Sequence, residues 1–222
     1  MSKGKRVRAQ RRAAPPPVGK RQPLDRRWWT GGAALVALVA VGVAVAAIRS
    51  NGSSAKPVLV DFAAMSGLQS GAPPWNNGSG ELQQRLSDVH LNPLPQEQLA
   101  FHIHQHIDTY VNGRHVALPA GIGIYGNSFI TEIHTHQPDG VIHVESAQNR
   151  PYTLGQLFDE WSVRLNAGCL GRYCGRLHWW VNGKPQTGNP AALVLKPHEE
   201  IVVATGRTPA HVPSSYAFPA GE

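Results

Sequence analysis

Residues 102–113 read HIHQHIDTYVNG, residues 114–124 RHVALPAGIGI and residues 130–146 ITEIHTHQPDGVIHVES. Six of the chain's eleven histidines form three clusters here, His102, His104 and His106, then His134 and His136, then His143, and His115 stands apart from them. Successive side chains of a β-strand point to opposite faces. His102, His104, His106, Asp108 and Tyr110 therefore share one face of the first run. Phe101, Ile103, Gln105, Ile107, Thr109 and Val111 take the other, which is mostly apolar. The same alternation sets Val141, His143 and Glu145 against Ile142 and Val144, and groups Glu132 with His134 and His136. Pro138-Asp139-Gly140 is turn chemistry. It predicts that His134 stands beside His143 and His136 beside Val141. Convergence of all three clusters then requires the first strand to lie next to this pair. Otherwise its histidines form a separate row facing solvent.

Working outward, Asn112-Gly113 and Asn182-Gly183 each follow an alternating run. Asn-Gly supplies the positive φ angles of a type I′ hairpin turn. The first pair predicts that Thr109 faces Val116 and Ile107 faces Leu118. YTLGQLFDEW (152–161) carries an N-cap candidate, Thr153, and Leu154, Leu157, Phe158 and Trp161 at helical spacing. It is the main predicted helix. ELQQRLSDVH (81–90) predicts a short one, stopped by Pro93 and Pro95. Strands are expected at LHWWV and EEIVVATG.

The formal charge of +7 is unevenly placed. Residues 1–49 hold eleven of the 21 Lys and Arg but only one of the 14 acids, Asp25. Ten bases and thirteen acids remain in residues 50–222, a formal −3. Basicity therefore belongs to the N-terminal tail, which argues against a nucleic-acid-binding domain and predicts no nucleic-acid partner. Residues 1–27 have the composition of a disordered tail. Trp28 and Trp29 precede an uncharged run, 30–48, close to the roughly 20 residues needed to span a bilayer. Lys and Arg crowd one flank, so the tail should be cytoplasmic and the rest extracytoplasmic. A cleaved signal peptide is the competing reading. The expected organisation is a cytoplasmic tail (1–27), a transmembrane helix (28–48), a linker with a short helix (49–98), a histidine-rich domain (99–206) and a flexible tail (207–222).

Two resemblances follow from these motifs. From Val141 to Gly206 the order is strand, helix opening at TLG, a strand ending in NGK, then the Lys196–Ile201 turn into a last strand. This resembles β-grasp domains of the ubiquitin-like and sulfur-carrier kind, and implies an α+β fold with one main helix. The sulfur-carrier role needs a terminal Gly-Gly, and this sequence ends Ala220-Gly221-Glu222. The combined pattern HxH…IHTH…GVIHVES…TLGQLFDEW, over residues 102–206, resembles a group of uncharacterised bacterial and archaeal membrane-tethered proteins. That likeness implies a tethered extracytoplasmic module. Related sequences often carry an acid after the HTH step, where this chain has Gln137.

Two histidines at i, i+2 on a strand can hold one metal, with a third from a neighbouring strand. Imidazole-rich sites suit Zn²⁺ or Cu²⁺, and a single internal methionine, Met65, argues against a cuprous chaperone. His134, His136 and His143 are the expected centre, joined by one or more of His102, His104 and His106. The bland alternative is a polar sheet face whose imidazoles bond one another and Glu132, Glu145 and Asp108. Histidine pH sensing is a third reading. No nucleophile elbow, zinc-protease motif or phosphate loop occurs, and Glu132 or Glu145 beside a metal-bound water could act as a general base. Cys169 and Cys174 enclose four residues. Outside the cytoplasm a disulfide is their default. The sequence thus predicts an extracytoplasmic metal-binding module, with an envelope structural or protein-interaction module as the alternative.

Overall fold

A computed structural model describes residues 56–222. The basic tail and the apolar run 30–48 lie outside the described residues. Among the described residues no helix is long and apolar enough to cross a membrane.

The chain is mixed α+β and rich in strands. In order come α1 (Leu82–Val89), β1 (Pro93–Leu94), β2 (Phe101–Val111), β3 (Arg114–Val116), β4 (Ile124–Tyr125), β5 (Phe129–Thr131), β6 (Ile133–His134) and β7 (Val141–Ser146). Then follow α2 (Leu154–Glu160), β8 (Cys169–Leu170), β9 (Tyr173–Cys174), β10 (Leu177–Val181), β11 (Lys184–Pro185), a 3₁₀ turn (Pro190–Ala192) and β12 (Glu200–Thr205). The main sheet runs β11-β10-β12-β2-β7-β6, with β3 beside the far end of β2. The central pair β2 and β12 is parallel, while β7 and β10 flank it antiparallel.

Both Asn-Gly hairpins form. Thr109 faces Val116 and Val181 faces Lys184, with Asn112 and Asn182 at positive φ. The odd face of β2 is the core face: Ile107 and Val111 join Ile142, Val144, Ile201 and Val203 in one cluster. Helix α2 closes over it with Leu154, Leu157, Phe158 and Trp161, all fully buried. Thr153 caps that helix. Its hydroxyl accepts from the Gln156 backbone N–H, and the Gln156 side chain accepts from the Thr153 N–H at 2.8 Å, a reciprocal capping box.

The segment expected to be linker contributes to this same core. Phe62, Met65, Trp75, Leu82, Leu86, Val89 and Leu91 are buried in it. Helix α1 lies against α2, and its Arg85 guanidinium donates to the carbonyls of Gly78 and Glu160. Residues 58–80 follow no helical or strand period, and Leu82, Leu86 and Val89 recur at helical spacing on α1 without showing what that face covers. They fill the open side of α2. The sulfurs of Cys169 and Cys174 lie 2.10 Å apart, at bonding distance, across the β8–β9 ladder.

Candidate metal centre

The first strand does lie beside the second pair. On the even face of β2, His104 stands opposite His143 and His102 opposite Glu145. On the other edge of β7, His134 stands opposite His143, as the turn chemistry predicts. His143 is thus the middle of a row built from three strands. Its ring centroid lies 4.5 Å from His104, 4.6 Å from His136 and 5.3 Å from His134, and His102 lies 4.5 Å from His104. This face is not the solvent face that alternation alone suggests, because His104, His134 and His143 are all buried.

Glu145 sits at the seam. Its Oε1 lies 3.2 Å from His102 Nε2, 3.6 Å from His134 Nε2 and 3.6 Å from His143 Nδ1. The last two are too long for hydrogen bonds. Burial would raise this carboxyl, but the imidazoles of His134 and His143, when protonated on the nitrogens that face it, outweigh that and hold it well below the usual carboxylate range. His134 Nδ1 lies 2.9 Å from the Thr131 carbonyl oxygen. A carbonyl only accepts, so Nδ1 carries the proton, and the lone pair of the neutral ring is on Nε2. That Nε2 is buried without a hydrogen-bond partner, as are His143 Nδ1 and Glu145 Oε2. A buried lone pair aimed at a carboxylate oxygen is repulsive unless a cation stands between them, either a second ring proton or a metal ion.

The donors fit a metal. One atom from each of His134, His136, His143 and Glu145 lies within 4.8 Å of the others. Tetrahedral bonds of about 2.0–2.1 Å require closer approach, about 3.3 Å between ligands. Rotation of these side chains would have to supply that contraction. The Thr131 carbonyl that orients His134 is the usual outer partner of a ligating imidazole. Two more rings are kept neutral. Burial, aided by His143 and His102, drops His104 to about 4. Burial, with His134 and His143, also lowers His136. Neutral imidazole is the ligating form.

His106 is brought elsewhere. Its Nδ1 lies 2.7 Å from Glu200 Oε2 and its Nε2 2.8 Å from the Asp139 carbonyl. Burial opposes protonation, but the hydrogen bond and charge of Glu200, with that carbonyl, raise the ring. Both nitrogens donate, and the ring stacks on Tyr216 at 3.9 Å. Gly140 permits this, because at its φ of 86° a β-carbon would meet His106 Nε2 at 2.7 Å.

Glu132 departs from its expected face. The chain bends between β5 and β6, which belong to different sheets, so alternation fails there. Its carboxylate instead accepts from Ser146, Arg150 and Tyr152 at 3.1, 2.6 and 2.9 Å. Glu145 is left as the acid of the cluster. Sequence reasoning missed Glu97, whose Oε1 lies 3.3 Å from His136 Nε2, and Glu200. Neither carries a local signal, since both arrive by tertiary packing. Glu97 also lines a cleft of about 510 Å³ with Leu99, Ile124, Phe129 and Ile130.

No family model, curated protein or solved structure matches this chain. The functional reading therefore rests on the histidine face itself.

Proposed function

We propose that the chain is a membrane-anchored, extracytoplasmic module of β-grasp type that binds one divalent transition metal, Zn²⁺ or Cu²⁺, through strand histidines. The observation that carries the metal reading is the buried, unpartnered Nε2 of His134, its tautomer set by Thr131, converging with His143 Nδ1 on Glu145. His134, His136, His143 and Glu145 would hold the ion. The β-grasp reading is supported by the order β7-β2-β12-β10, the parallel central pair and α2 crossing between β7 and β10. The anchor reading is supported by the uncharged run 30–48 and its basic flank.

Equilibrium dialysis of the full chain against Zn²⁺ or Cu²⁺, followed by elemental analysis, tests the first reading. Stoichiometric retention is expected. No retention would favour the second reading, an envelope interaction module. One observation speaks for that alternative: Leu99 and Tyr125 are 72% and 41% exposed, and Leu99 lines the cleft beside Glu97. A reporter active only outside the cytoplasm, fused after Glu222, should be active. Activity of a cytoplasm-only reporter there would reverse the topology.

A further inference from the structure

We propose that the histidine face holds two divalent ions side by side, the second bound by His102 and His104, with His143 shared between them. This inference rests on the metal reading above. Around His143 there are more donors than one ion uses. A tetrahedral ion takes four ligands. His134, His136, His143 and Glu145 supply them. That leaves His102 and His104, which together with His143 form a second set whose ligand atoms also lie within 4.8 Å of one another.

The two sets meet at two residues. His143 stands between His104 on β2 and His134 on β6, because β7 is hydrogen-bonded to both strands. Each nitrogen lone pair lies in the ring plane and binds one ion. His143 can therefore serve both ions only with Nδ1 on one and Nε2 on the other. The ring then releases its remaining N–H proton to solvent and bridges as imidazolate. Glu145 adjoins both sets as well. Its Oε1 lies 3.2 Å from His102 Nε2 and 3.6 Å from His134 Nε2, and its Oε2 is buried without a partner. Two divalent ions bring four positive charges. The Glu145 carboxylate and the His143 imidazolate offset two of them, and Glu97, 3.3 Å from His136, adds a third negative charge at the rim.

The test uses the full chain and Cu²⁺, whose unpaired electron reports its neighbours. Copper retained after dialysis is counted by elemental analysis, and electron paramagnetic resonance is recorded at one and two equivalents. Two ions per chain are expected. The first should give an ordinary cupric spectrum, and the second should reduce the intensity per copper, because the spins couple through the shared ring. The variant H102Q/H104Q should retain one ion at full intensity per copper. If that variant fails to fold, H102Q alone serves, since His102 lies at the rim of the row. One ion in the wild-type chain would overturn the paired site and leave the single-ion reading standing. Two ions with simply additive spectra would overturn the sharing of His143, and two ions remaining in the variant would overturn the assignment to His102 and His104. No retained ion would overturn both readings.

Discussion

Replacing His134 and His143 together by alanine separates a metal centre from a polar sheet face. Structural zinc sites are worth about 10–16 kcal/mol over four ligands. Each ligand then carries roughly 2.5–4 kcal/mol, or about 10²–10³ in affinity. Losing two should weaken binding by at least about 10⁴, which abolishes stoichiometric loading. The assay is thermal unfolding with and without Zn²⁺. An ion at 100 times its dissociation constant stabilises the folded state by about 2.7 kcal/mol. A domain of this size gains about 2–4 °C per kcal/mol, so the wild-type Tm should rise by about 5–11 °C. The variant should show no rise. Its metal-free Tm should fall, because both side chains are buried and their truncation leaves space behind, so the zinc-induced rise is read against each protein's own metal-free Tm. The His134 hydrogen bond to Thr131, worth about 1 kcal/mol, is lost too. Equal zinc-induced shifts in both proteins would refute the reasoning.

Ile142→Ala, one residue from His143 but on the core face, should cost about 2–5 kcal/mol in denaturant unfolding and leave zinc affinity of the folded protein unchanged. A large loss of affinity would show that the face is not held independently of the core residue beneath it. Burial pushes the Asp159 carboxyl up to about 7, against the pull of Arg85. The folded state therefore holds a proton that the unfolded chain releases near 3.9. Stability should fall as pH rises from about 4 to 7, by roughly 4 kcal/mol at most, and then level off. Asp159→Asn should remove that part of the slope, and an unchanged difference between the two proteins at pH 5 and pH 8 would contradict it. Reduction of the Cys169–Cys174 bridge should cost less than the ~3 kcal/mol of a 15-residue loop, because its loop is shorter. Free thiols in protein from its native compartment would remove the premise.

Alternation along a strand is local, set by two dihedral angles per residue, so it could be read without a fold. It placed His102, His104, Val141, His143 and Glu145 on one face and Ile107, Ile142 and Val144 on the other. Two Asn-Gly turns and Thr153 were equally local, because positive φ and an orphan helical N–H each demand particular side chains. The turn at Pro138-Asp139-Gly140 likewise set His134 opposite His143. Which face meets which neighbour is a different matter. Only the long-range pairing of β2 with β7 brought His104 to His143, and only the parallel docking of β12 gave His106 a carboxylate, Glu200, that draws it away. The bend at Glu132 broke the alternation because two sheets compete for the chain there, and Ser146, Arg150 and Tyr152 hold that side chain away from the histidines. Residues 58–80 carried no regular period, and the helical spacing of Leu82, Leu86 and Val89 did not announce that this face covers α2. These outcomes depend on contacts between residues far apart in sequence, and such contacts leave no local pattern to read.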